Sequence, residues 1–427
     1  MTENYPDGKL FSVDLQQEIK SKFYYVDEDP DIGPRLFFEN AGGALRLKSV
    51  LEKYSEVDAI PDCPERIHKM AIRLQDIMEK SKEDIRIILN AKEGSIIPGL
   101  TASQVMFEIV RSVAENITSG TNMVTTVMEH PSAFDCMEYF AKKTNRELRV
   151  ALSDKVTGGV SVDSIIELID ENTTLLSCMY ASNITGAIFN LEEIVRRARE
   201  IKPDLYIVCD AVQHAPHGVI DLQKMPVDGI TFAPYKMFGN RGSGIGFVSP
   251  RLADLPHNKL SAKPADEWEL GSPAPSQFAV ISEIVDYVCW LGSNFNGSTD
   301  RRTLFVEGMT QIKLQERALM SAMLNGVNGK PGLRSMNNVK VFVDNKVLSE
   351  RDFISVIGFD NITPSQAVRE YEKRNVIVYD RLATSLYSKR MLDSFGIEGA
   401  VRVSPLHCHS ASDIEKFLDI TSELAKL

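Results

Sequence analysis

Leu205-Tyr-Ile-Val-Cys-Asp210 and Thr231-Phe-Ala-Pro-Tyr-Lys-Met-Phe-Gly239 decide how this chain folds. Each is a short apolar run that ends near one charged residue and opens into turn-forming sequence. The first leads into Ala211-Val-Gln-His-Ala-Pro-His-Gly218, the second into the glycine-rich stretch Gly239 to Gly246. Apolar runs of this length, separated by amphipathic segments, predict buried parallel strands with helices between them. In such a sheet, ligands sit at the carboxyl ends of the strands, and those are the places held by Asp210 and Lys236.

The same alternation extends from about 93 to 250. The expected strands are Ser95–Ile97, Met123–Val127, Leu148–Leu152, Thr174–Met179, Leu205–Cys209, Gly229–Phe232 and Ile245–Val248. The expected helices are Ala102–Ile117, Pro131–Lys143, Val162–Ile169 and Leu191–Ile201. The fold class is therefore α/β, a mostly parallel doubly wound sheet. Residues 1–45 read as a loop-rich N-terminal arm joining the small domain, 46–295 as the large domain, and 296–427 as a small C-terminal α+β domain. A long helical region is expected over 277–328. Val339–Val343, Ile354–Phe359, Val376–Tyr379 and Ala400–Val403 read as strands, with helices near 365–373 and 411–425.

A carboxylate from one strand and a lysine from another, beside glycine-rich backbone, meet the needs of pyridoxal 5′-phosphate (PLP). A lysine amine forms a Schiff base with the aldehyde, and an aspartate keeps the pyridine nitrogen protonated so that the ring can accept electrons. Thr101, His130, Asn183, Asp210 and Lys236 each follow an apolar run, which gathers them at one edge of the sheet. Gly99-Leu-Thr-Ala-Ser-Gln104 opens a helix, where the Thr101 and Ser103 hydroxyls and the backbone at Ala102 are placed to hold a phosphate.

Taken in order, these motifs resemble the class V aminotransferases, and within them the branch of cysteine desulfurases, selenocysteine lyases and isopenicillin-N-epimerase-like proteins. The resemblance runs from Phe37-Phe-Glu-Asn-Ala-Gly-Gly43 to Val401-Arg-Val-Ser-Pro-Leu-His407. It implies a PLP-dependent transferase fold of type I and assigns roles to individual residues. Lys236 is the Schiff-base partner and the acid/base for the Cα proton. His130, in Glu129-His-Pro-Ser132, stacks on the pyridine face. Asn183 and Gln213 contact the phenolic oxygen, and Tyr235 offers a hydroxyl to the cofactor. Ser272, in Glu269-Leu-Gly-Ser-Pro273, reaches the phosphate of the neighbouring subunit, which requires a homodimer with a shared active site. Arg402 binds the substrate α-carboxylate, with Asn40 and Arg381 in the same pocket. His214 and His217 are second-layer or structural.

Two departures from the family pattern matter. Ala233-Pro-Tyr-Lys236 replaces the usual Ser-x-His-Lys. The stretch from Tyr379 to Phe395, where a desulfurase carries its nucleophilic cysteine, contains no cysteine. Cys408 lies after Arg402, in a position that does not suit a persulfide carrier. The expected activity is an amino-acid-directed aminotransferase or β-eliminating (C–S type) lyase that works through an external aldimine and Cα deprotonation. The alternatives are a cysteine desulfurase using Cys408, an amino-acid epimerase, or a non-catalytic PLP-fold regulatory protein.

Composition narrows the rest. A net charge of −11 over 427 residues disfavours nucleic-acid partners. No apolar run approaches a membrane span, and Met1-Thr-Glu-Asn-Tyr-Pro-Asp7 lacks the features of a signal peptide, so a cytoplasmic enzyme with a small-molecule amino-acid substrate is expected. The six cysteines are scattered without a C-x-x-C pair, and no metal site is expected.

Overall fold

The computed structural model describes residues 8–427. Its central sheet has seven strands: β1 (Ser95–Gly99), β2 (Asn122–Thr126), β3 (Glu147–Ala151), β4 (Thr173–Met179), β5 (Tyr206–Asp210), β6 (Gly229–Phe232) and β7 (Gly244–Val248), in the spatial order β1-β7-β6-β5-β4-β2-β3. Only β7 runs antiparallel to its neighbours. All seven residues of β4 are buried, as a strand covered on both faces requires. Successive residues point to opposite faces: Leu176, Cys178, Ile207 and Cys209 join one core, while Met123, Leu175 and Val208 join the other. Helices Ala102–Asn116 and Pro131–Lys143 supply Val105, Ile109, Met137 and Phe140 to the second core.

The second sheet is antiparallel: β8 (Val339–Phe342), β9 (Ser355–Phe359), β10 (Tyr379–Leu382) and β11 (Gly399–Val403), in the order β8-β9-β11-β10. Helices Pro364–Glu372 and Ala411–Leu424 pack on it through Ala367, Tyr371, Ile414 and Phe417. The short strand Leu36–Phe37 pairs in parallel with Val376–Ile377, which places Leu36 and Phe38 in the separate core under this antiparallel sheet.

Three local expectations change. The loop-rich arm contains a helix, Val13–Ser21, whose start is capped where Ser12 Oγ accepts from Leu15 N at 3.3 Å. The helical region expected over 277–328 is two helices, Pro275–Ser293 and Arg301–Asn325. The polar linker between them contains Gly297, and Asp300 starts the second helix by accepting from Thr303 N at 2.8 Å. The strand expected over Val376–Tyr379 is divided, because Val376–Ile377 pairs with the N-terminal arm and Tyr379 begins β10. No helix among the described residues is long and apolar enough to cross a membrane.

Candidate active site

Asp210 ends β5, opposite Thr231 of β6, and Lys236 follows β6 on a single turn of 3₁₀ helix, Pro234–Lys236. Adjacent parallel strands thus deliver the acid and the amine to one cavity of about 410 Å³. Thr101, Ala102, Ser103, His130, Asn183, Gln213 and Tyr235 line the same cavity. No cysteine among the described residues lines it.

The lysine turn is held in an unusual conformation. Phe238 has φ +64°, a left-handed value that costs a non-glycine residue roughly 1–2 kcal/mol. It is fully buried, with its ring 5.7 Å from Phe23, 6.0 Å from Tyr287 and 5.0 Å from His407. That packing fixes the backbone, and Gly239 N closes the turn onto Pro234 O at 2.8 Å. The Lys236 amine donates to the Ala41 carbonyl. Burial, helped by the Arg402 charge, lowers its pKa to about 7, so the amine is largely neutral above neutral pH.

The Asp210 carboxyl is pushed up to about 6 by burial, opposed by the N–H of Val212, which donates to its Oδ1 at 3.0 Å. His130 is the N-cap of helix Pro131–Lys143, and its Nδ1 accepts from Ser132 N at 3.2 Å. An accepting Nδ1 places the ring proton on Nε2. Burial and the nearby charge of Lys236 lower the ring's pKa to about 4, so the imidazole is neutral at physiological pH.

At the other wall, Thr101 caps helix Ala102–Asn116, its Oγ1 accepting from Gln104 N at 3.1 Å. The N–H groups of a helix's first turn have no intrahelical acceptor. Gly244 packs directly on this turn, where a Cβ would stand 2.0 Å from Ala102 N. Three lining residues carry buried polar atoms without a partner: Asn183 Oδ1, Gln213 Oε1 and Ser243 Oγ. Buried orphans of this kind mark a place built for a polar ligand.

Arg402, on β11 and 2% exposed, does not line this cavity, nor do Arg381 and Asn40; it comes from the second sheet to meet Asn183, which does. Its Nη1 donates to Asn183 O at 2.7 Å and its Nη2 to Glu39 Oε1 at 2.5 Å. Arg381 donates to Tyr387 O at 2.9 Å, and burial lowers its pKa to about 10. The Asn40 amide is taken up by backbone groups: it donates to Phe37 O and Ser404 O, each at 3.0 Å, and accepts from Leu45 N. Ser272 does not line the Lys236 cavity of its own chain. It lies in a neighbouring cavity with Leu100 and Gly242, its hydroxyl 2.7 Å from Glu65 Oε1. His214 pairs with Asp352 at 3.0 Å and His217 with Glu316 at 2.8 Å, both buried.

The sequence reading missed Glu39, Arg46 and Arg241. Arg241 lines the cavity and lies over the Tyr235 ring at 4.5 Å. A cation inside the glycine-rich stretch Gly239 to Gly246 was its only sequence signal.

Comparisons with known proteins identify the family and the fold. The family described as Aminotransferase class-V matches residues 36–287, more than half of the chain. A probable cysteine desulfurase of Streptomyces coelicolor is 26% identical over 302 residues, spanning 65% of this chain and 71% of that protein. A probable cysteine desulfurase of Borreliella burgdorferi is 25% identical over 316 residues, spanning 68% and 73%. Among solved structures, an apo cysteine desulfurase from Thermococcus onnurineus NA1 superposes with a TM-score of 0.81 at 19% identity, covering 96% of this chain and 98% of that one.

Proposed function

From the premise that the chain belongs to the class V aminotransferase family, and so is a PLP-dependent enzyme acting on amino acids, we propose that it is an aminotransferase or a β-eliminating lyase. The observation that carries this reading is a buried Lys236 set with Asp210 in one cavity that no cysteine among the described residues lines. The residues fit the cofactor. The first turn of helix Ala102–Asn116 under Gly244 suits a phosphate, and the unpaired amide oxygens of Asn183 and Gln213 await polar partners. Lys236 would hold the cofactor through its amine, His130 would lie against the ring, and Asp210 would face the ring nitrogen. The bound group supplies an electron sink for charge developing at the substrate Cα.

The chain's own residues do the remaining work. Lys236, freed from its proton near neutral pH, takes and returns the Cα proton. Asp210, ionised by a cationic partner, keeps that partner protonated. His130 stays neutral and orients without competing for protons. Arg402 receives the substrate α-carboxylate, in place of Glu39 or alongside it, with Arg381 nearby. We extend the proposal to a homodimer in which Ser272 serves the partner's cofactor.

Sulfur transfer through Cys408 is disfavoured. Its side chain is fully buried, and burial pushes its thiol well above the usual range, where it would be unreactive. The test is to purify the protein with PLP, record its visible absorption, and add a panel of amino acids. Loss of the lysine-bound band with keto acid formed supports the reading. Cofactor left in the amine form identifies a transaminase; ammonia or sulfide with the cofactor restored identifies a lyase. A protein that never acquires the band refutes it. Arg402→Lys should raise KM about 10- to 100-fold with a smaller change in kcat, because a lysine cannot reproduce a two-pronged contact with a carboxylate. Steady-state kinetics with the best substrate of the panel checks this, and an unchanged KM would remove Arg402 from that role.

A further inference from the structure

We propose that Arg46 and Arg241 form a recognition site for a second anionic group on the substrate, so that the enzyme prefers an α-amino acid with an acidic side chain. The proposal rests on the reading that Lys236 marks the reacting centre.

Charge around that centre is unbalanced. Arg402 is matched by Glu39, but neither Arg46 nor Arg241 has a carboxylate partner among the described residues. Arg46 donates from Nη1 to the carbonyls of Ala44 and Tyr235, while Arg241 rests on the Tyr235 ring. The two guanidinium groups converge on one spot. A Cβ on Gly43 would stand 2.9 Å from Arg241 Nη2 and 3.7 Å from Arg46 Nη2. Glycine leaves that spot without a side chain. Burial first, and the Arg241 charge second, lower the Arg46 pKa to about 10, the signature of a cation with a like-charged neighbour and no counter-ion.

Position identifies the ligand. Ala41, whose carbonyl accepts from the Lys236 amine, is two residues before Gly43, and two residues of extended chain span at most about 7 Å. An anion bound by Arg46 and Arg241 therefore lies within the reach of a short side chain whose Cα sits at Lys236. The class that fits is an amino acid with a carboxylate, sulfinate or sulfonate a few atoms from Cα. The cofactor phosphate is the other possible source of such an anion, because Arg241 adjoins Gly242 and Ser243 at the same cavity wall as Thr101.

The test uses the PLP-loaded enzyme. L-aspartate, L-glutamate and L-cysteine sulfinate are titrated against L-alanine and L-serine, with dissociation constants read from the change in visible absorption. Succinate and acetate, which lack an amine, are compared by calorimetry. The acidic amino acids are expected to bind at least tenfold more tightly than the neutral ones, and succinate more tightly than acetate. Arg241→Gln, at an exposed position where folding is not at risk, should collapse the acidic-to-neutral ratio; Arg46→Gln should do the same, and Arg46→Lys should restore part of it. Equal or tighter binding of the neutral amino acids overturns the proposal while leaving the PLP reading intact. So does an Arg241→Gln protein that binds PLP more weakly but keeps the preference once saturated with it, which would assign the arginine to the cofactor phosphate. Wild-type enzyme whose absorption responds to no amino acid overturns the proposal together with the reading beneath it.

Discussion

Lys236→Ala should leave a folded protein that no longer binds PLP covalently and whose kcat/KM is lower by at least about 10⁴-fold. The size of the loss follows from how little else in the cavity can substitute. Lys236 is 8% exposed, and His130, with a pKa of about 4, is too weak a base to replace it. The visible band of the lysine-bound cofactor should vanish with the activity. A pH series on the wild-type apoprotein gives an independent check. The lysine pKa is about 7 here against an ordinary 10.5, so PLP uptake should rise about tenfold per pH unit up to 7 and then level off. A surface lysine would not level off until well above pH 9. The same shift makes the unfolded chain bind more protons than the folded one between about 7 and 10.5, so apoprotein stability contains a term that rises with pH across that window. Lys236→Met should remove that term. A covalent band retained by Lys236→Ala would show that another lysine carries the cofactor.

The second large effect is expected from Asp210→Asn. Asparagine has nearly the same shape and can still accept from Val212 N, so binding and cofactor retention should change little. It cannot ionise. The developing negative charge at the substrate then loses its protonated sink, and kcat should fall by about 10²- to 10³-fold, the usual cost of removing one preorganised electrostatic partner. Separate measurement of kcat and KM, with the visible band as a control for cofactor content, distinguishes this from a packing defect. A proportionate rise in KM with kcat preserved would place Asp210 away from the ring nitrogen.

Much of the sheet was legible because its signals are local. An apolar run followed by a single polar residue marked Thr101, His130, Asn183, Asp210 and Lys236, and the structure brings all five to one cavity. The parts that were not legible depend on long-range meetings. Glu39 and Arg402 are 363 residues apart in sequence, and nothing near Glu39 announces its partner. Arg46 and Arg241 converge only because Gly43 and the lysine turn pack together. Asn40 was expected in the substrate pocket, but it does not line the Lys236 cavity, and its amide is engaged by backbone that sequence cannot show. Ser272 lies outside its own chain's Lys236 cavity, and its proposed role depends on a second copy. The helix Val13–Ser21 was hidden by its polar composition, since it buries only Gln16 and Ile19.

The left-handed turn at Phe238 has a consequence for how the protein is made. Phe238 is braced by Phe23 from near the start of the chain, by Tyr287, and by His407 from near its end, with the Tyr287 hydroxyl 2.7 Å from His407 Nε2. A nascent chain still on the ribosome, with His407 not yet emerged, lacks one side of that clamp. The seat of the reactive amine therefore depends on residue 407 being in place, although 171 residues separate it from the lysine it braces.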